Sequence, residues 1–159
     1  MEKATLTIEY RRLSLAELTA DDRALVEKAQ AACATSYTPY SHFHVGAAAR
    51  LTNGETVCGS NQENAASPSS ICAERCTVFY ANAHFPEAAV ETLAIAARRA
   101  DGTFTPSPIT PCGACRQVLI ETENRYGRPM RVLLYGEKEI YELKSAADLL
   151  PFQFNSEAM

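Results

Sequence analysis

Apolar residues recur along this chain with two different periods, and the changes of period mark its elements. From Asp21 to Ala34, the positions Leu25, Val26, Ala29, Ala32 and Cys33 return at helical spacing. They follow Asp21 and Asp22, acidic residues that suit a helix N-terminus, so a first helix is predicted there. Cys72 to His84, with Cys76, Val78 and Phe79 among its apolar positions, and Gly113 to Arg125 read as two more helices. Thr5 to Tyr10 alternates apolar with polar residues, the period of a short edge strand. Phe43 to Leu51 and Thr56 to Gln62 read as two strands joined by Thr52-Asn53-Gly54-Glu55, where Asn-Gly is a strong hairpin signal. Glu91 to Ala97 and Met130 to Tyr135 add two strands, and Ala146 to Leu150 a short terminal helix stopped by Pro151. Between them lie the Tyr37–Ser41 break, the Asn64–Ser70 loop of Ala, Ser and Pro, and a polar Arg98–Pro111 loop carrying Pro106, Pro108 and Pro111. Helices alternating with strands after an initial hairpin predict an α/β sandwich around one mixed sheet. No repeat or linker divides the chain, so residues 1–159 are expected to form one domain.

Composition narrows the function. Of 159 residues, 47% are hydrophobic and 21% charged, enough for a core that needs no covalent staples. Fifteen Lys and Arg against nineteen Asp and Glu leave a net charge of −4, and no cationic block stands out. Nucleic-acid affinity rests on clustered cations, so a small, weakly charged substrate is expected instead. No apolar run approaches a membrane span, and Met1–Tyr10 lacks the basic-then-apolar order of a signal peptide, so a cytoplasmic protein is expected. Six cysteines in a reducing compartment point to metal binding or catalysis before disulfides.

Two segments carry that chemistry: Cys72-Ala73-Glu74 and Pro111-Cys112-Gly113-Ala114-Cys115, each at a predicted helix start. Cys-x-x-Cys on a first turn brings two thiolates to one ion, and Cys72 supplies a third sulfur. Zinc favours such ligands, and three protein ligands leave a fourth, open position of the kind catalytic sites keep for water. Cys58 and Cys76 have no partner at a ligand spacing and do not close the set. Glu74 is placed to take a proton from that water and hand it to a substrate. Helix N-termini present unpaired N–H groups that can draw charge from the sulfurs. Arg75 and Arg116 lie beside the ligands and could do the same; for Arg75 an ordinary surface ion pair is an equal alternative. A lone Cys-x-x-Cys is a weak signal. Cys-Ala-Glu followed some 40 residues later by Pro-Cys-x-x-Cys is a known signature of zinc-dependent base deaminases.

With these segments in place, the chain resembles the cytidine deaminase family in its small homotetrameric form. Tyr40-Ser41-His42-Phe43-His44-Val45-Gly46-Ala47-Ala48 is similar to the family's strand entering the site, and Asn61-Gln62-Glu63-Asn64-Ala65 to its ribose-binding segment. Cys72-Ala73-Glu74-Arg75 and Pro111 to Leu119 match its two metal segments, and Leu149-Leu150-Pro151 with Phe154 its C-terminal end. The resemblance spans roughly residues 20–154. It implies a three-layer α/β/α sandwich around a mixed five-stranded sheet, Zn²⁺ on Cys72, Cys112 and Cys115, and hydrolytic deamination of cytidine and deoxycytidine in pyrimidine salvage. It further implies that Asn61 and Glu63 bind the ribose hydroxyls, that Phe43 packs against the nucleoside, and that the backbone at Ala65 meets the base. Phe154 is then the aromatic that a neighbouring subunit lends to the site. Where many relatives carry Tyr before the proline of the Asn64–Ser70 loop, this chain has Ser67.

Plainer readings stand beside these. Asn61 and Glu63 could be loop-end residues, and Phe43 is expected to belong partly to the core. His42, His44 and His84 read as surface or satisfied side chains, not ligands. Cys33, Cys58 and Cys76 read as small buried hydrophobes. Gln117 could support the metal loop or pack its helix. Competing functions are a deaminase of modified cytosine nucleosides such as the blasticidin-type antibiotics, a polynucleotide deaminase, and a closed, non-catalytic zinc module. Glu74 beside an open position opposes the last, and the acidic balance opposes the second.

Overall fold

The structure, a computed structural model, describes residues 1–156 and 159. Three helices form: α1 (Ala20–Ala32), α2 (Ala73–His84) and α3 (Gly113–Tyr126). The strands are β1 (Arg11–Leu13), β2 (His44–Leu51), β3 (Thr56–Ser60), β4 (Val90–Arg98), β5 (Arg131–Tyr135) and β6 (Ile140–Leu143). They make one mixed sheet in the order β1-β6-β5-β4-β2-β3, in which β4 and β5 run parallel and every other pair antiparallel. The sheet therefore has six strands, one more than expected. Ile140–Leu143 is the addition. Thr5–Tyr10 belongs to no strand, and Arg11–Leu13 takes the edge place instead. Register explains the shift: Arg11 and Arg12 pair with Glu142 and Glu139 through ion pairs that residues 5–10 cannot make.

The predicted layering holds. Alternation of side chains puts Ala48, Ala94, Ala96 and Leu133 on one face of the sheet, packed with Leu25, Val26, Ala29 and Cys33 of α1. Ala47, Ala49, Leu93, Ile95, Val132 and Leu134 face the other side, with Val78 and Ala81 of α2 and Leu119 of α3. The central strands are rich in alanine because helices press close on both sides. At Gly46 there is no room even for a methyl group: a Cβ would sit 2.1 Å from the Ala29 carbonyl oxygen and 2.6 Å from the Cys33 amide nitrogen. Gly59 meets α2 in the same way, 2.6 Å from Thr77 Oγ1. Buried Asp22 of α1 pairs with Arg50 of β2 and Arg131 of β5, and Arg131 also pairs with buried Glu142.

Gly46→Ala tests this packing. The added methyl meets backbone, which cannot swing aside, so the variant is expected to lose about 3 kcal/mol in urea unfolding. A loss within experimental error of zero would show that α1 does not press on β2 at that point.

Candidate active site

Both Cys72 and Cys112 occupy the N-cap of a helix, with extended backbone (φ −78°, ψ 155° and φ −66°, ψ 167°). The N-termini of α2 and α3 thus converge, and Cys115 arrives from the first turn of α3. The three sulfurs all lie within 4.8 Å of one another, and Cys72 Sγ stands 3.8 Å from Cys112 Sγ. Zn–S bonds of about 2.3 Å at tetrahedral angles set sulfurs roughly 3.8 Å apart, so the donor set fits zinc in type and spacing. These residues form the only such metal-capable group among the described residues.

Exposure grades across the cluster: Cys115 is buried, Cys72 half-buried and Cys112 exposed. The Cys72 thiol is lowered to about 5, chiefly by a hydrogen bond from Cys115 and, against the cost of burial, by Arg75. Cys115 moves the opposite way, because it is the donor to Cys72 and is itself buried. Arg75 Nη2 donates to Cys72 Sγ at 3.7 Å. Its Nε is buried beside the sulfurs and has no hydrogen-bond partner among the described residues. Glu74, in the first turn of α2 two residues after Cys72, is only 4% exposed. Burial raises its carboxyl above the usual range and the negative charge of Cys72 raises it further, while its own backbone N–H pulls it down.

Arg116, which sequence placed beside the sulfurs, is turned away from them. It donates to the Pro111 carbonyl at 2.8 Å, to the Leu149 carbonyl at 2.9 Å and to Thr110 Oγ1 at 3.2 Å. It braces the loop that delivers Cys112. Gln117 donates its amide N–H to the Phe154 carbonyl at 2.8 Å. These two anchoring roles carry no sequence signal, since both depend on where the distant residues 149–154 return.

A bridge between Gln62 and Ile71, with N–H···O bonds of 2.9 and 3.0 Å in both directions, lays the Asn61–Glu63 segment beside Cys72. Asn61 Nδ2 donates to the Phe43 carbonyl at 2.9 Å and its Oδ1 accepts from Val45 N–H at 2.8 Å. Phe43 is half-buried and Ala65 exposed. Phe154 is 61% exposed at the far end of the Gln117 tether. His44 is satisfied by Ser36 and Thr38, whose hydroxyls lie 2.6 and 3.2 Å from Nδ1. His84 stacks on Tyr80, and His42 is exposed. Cys33 is buried as expected and Cys76 is half-buried. Cys58 is exposed, because β3 is an edge strand.

Residues 19–126 match the family model described as the cytidine and deoxycytidylate deaminase zinc-binding region. The chain belongs to this family. A cytidine deaminase of Halalkalibacterium halodurans is 37% identical over 139 residues, 87% of this chain and 98% of the relative. One of Sporosarcina psychrophila is 36% identical over 137 residues, covering 86% and 93%. The crystal structure of cytidine deaminase from Burkholderia pseudomallei superposes with a TM-score of 0.70 at 38% identity, over 86% of this chain and all of that one. That of Mycobacterium tuberculosis gives 0.64 at 31% identity, over 86% and 99%. Family membership and the sulfur geometry agree on zinc as the cofactor.

Atomic absorption after dialysis should find about one zinc per chain. Cys112→Ala, a change at the exposed ligand that the core does not feel, is expected to weaken zinc affinity by more than about a hundredfold, beyond what losing an outer partner costs. Undiminished zinc in that variant would remove Cys112 from the ligand set.

Proposed function

We propose that the chain deaminates free cytidine and deoxycytidine hydrolytically, giving uridine and deoxyuridine with release of ammonia, as a step of pyrimidine salvage. The observation that carries this is Glu74: a buried carboxylate on the same helix turn as one ligand of an open three-sulfur cluster. Zinc, when bound by Cys72, Cys112 and Cys115, would supply a Lewis acid that lowers the pKa of a water it holds. Glu74 does the proton work. It accepts a proton from the attacking water and passes it to N3 of the cytosine ring, which leaves C4 electrophilic. The water oxygen bonds to C4, Glu74 carries the second proton to the exocyclic amine, and the C4–N bond breaks with loss of ammonia. A carboxyl whose affinity for protons is raised by burial suits a group that must hold a proton between two transfers. Arg75 offsets the negative charge that three thiolates bring to the metal.

Substrate binding is assigned as follows. Phe43 packs on the nucleoside, Asn61 and Glu63 meet the ribose hydroxyls, and the Ala65 backbone meets the base. Phe154 completes the site of a neighbouring copy in a homotetramer. Its 61% exposure, with Phe79 and Tyr80 each 48% exposed on α2, supports that assembly. We read residues 1–159 as one domain working on small nucleosides, not on nucleic acid. Among the described residues no helix is long and apolar enough to cross a membrane. We place the protein in the cytoplasm.

Loss of ultraviolet absorbance on cytidine, deoxycytidine and 5-methylcytidine measures the activity directly. Glu74→Gln is expected to keep its zinc while kcat falls by on the order of 10³-fold or more. Near-normal turnover in that variant would sink the role given to Glu74.

A further inference from the structure

Phe43 follows a short turn, and that turn is held by Glu63. Residues 38–43 leave the end of the α1 region and enter β2. His42 N–H donates to the Thr38 carbonyl at 3.1 Å, and Phe43 N–H to Ser41 Oγ at 3.1 Å. His42 adopts φ +53°, a left-handed conformation that side chains other than glycine rarely take without outside support. The support comes from Glu63: its Oε2 accepts from the Tyr40 N–H at 2.9 Å and the Ser41 N–H at 3.2 Å. Glu63 is itself fixed, because its N–H donates to the Tyr37 carbonyl at 2.8 Å and the preceding residue is bridged to Ile71. Ile71 adjoins Cys72. A continuous set of bonds therefore runs from the sulfur cluster through Gln62 and Glu63 to the turn. Asn61 then pins the carbonyl of Phe43.

We infer that Glu63 is a positioning residue, which sets the 38–43 turn and with it Phe43, and that this contribution to deamination is independent of the sugar hydroxyls. The inference rests on the proposed deaminase activity and departs from a role confined to ribose. If Glu63 worked through hydroxyls alone, a substrate without them would have nothing left to lose when Glu63 is removed. If Glu63 works through the turn as well, 2′,3′-dideoxycytidine also loses turnover when Glu63 is removed. The oxygen of a glutamine can still accept from both amides, so Glu63→Gln keeps the clamp that Glu63→Ala removes.

The experiment measures kcat and KM of the zinc-loaded parent, Glu63→Ala and Glu63→Gln on cytidine, deoxycytidine and 2′,3′-dideoxycytidine. Amide hydrogen exchange of the peptide covering residues 38–43 is followed alongside. For Glu63→Ala, kcat/KM is expected to fall by about ten- to a hundredfold on all three substrates, as misplacement costs of this kind do. Exchange at Tyr40 and Ser41 should speed up in the same variant. Glu63→Gln should recover most of both. The inference is overturned if the Glu63→Ala loss disappears on 2′,3′-dideoxycytidine, if Glu63→Gln is as damaged as Glu63→Ala, or if exchange is unchanged. A parent that turns over none of the three nucleosides would instead overturn the deaminase reading, and the exchange result would still decide whether Glu63 holds the turn.

Discussion

Three sulfurs have to meet at one point, and the chain meets that demand by aiming two helix N-termini at each other. The constraint is electrostatic as well as geometric. Two thiolates 3.8 Å apart repel by about 4 kcal/mol at an effective dielectric near 20, and by less where Cys112 faces solvent. Three of them cannot all be ionised on their own. The opposed shifts of Cys72 and Cys115 express this: the charge settles on the sulfur that accepts from Cys115 and Arg75, and the buried donor keeps its proton. A dication resolves the conflict, so metal binding and proton release are one event here. Convergence also needs α2 and α3 on the same face of the sheet, close together. Gly59, with Thr77 against it, lets α2 lie down on β3, and small side chains in β2 and β4 do the same for their neighbours.

Because the sulfurs sit at N-caps, the usual oxygen caps of those helices are missing. Neither Cys72 nor Cys112 caps its helix by a side-chain hydrogen bond. Helix N-termini carry partial positive charge, which favours negative charge on sulfurs placed there. Glu74 shares that environment. It is buried where positive helix ends favour its ionised form, and it sits near Cys72, whose charge disfavours it. A proton carrier balanced between those influences is what deamination requires.

The helices, the hairpin and the metal segments were legible because each has a local signal: apolar period, Asn-Gly, Cys-Ala-Glu, Pro-Cys-x-x-Cys. Ile140–Leu143 was not, since a four-residue strand beside charged Glu137, Lys138 and Glu139 has too few positions to show a period. The first strand slipped to Thr5–Tyr10 because alternation reports a strand-like pattern and says nothing of a partner. Arg11 and Arg12, unpromising by pattern, were drawn in by Glu142 and Glu139, more than a hundred residues away. The same blindness to distance hid the tasks of Arg116 and Gln117. Sequence placed Arg116 beside the sulfurs and left Gln117 between supporting the metal loop and packing its helix; both donate to carbonyls of the returning tail.

That tail is tied at several points to the helix that carries Cys115 and follows Cys112. Glu123 on α3 is buried and accepts from Met130 N–H at 2.5 Å, Ala146 N–H at 2.7 Å and Ser145 Oγ at 2.9 Å, which fixes where the chain resumes after β6. One to two turns earlier, Arg116 holds Leu149 and Gln117 holds Phe154. Three side chains spaced along one helix thus set the path of residues 145–154. Phe154 is thereby joined to the helix that carries Cys115, although it lies 39 positions further along the chain.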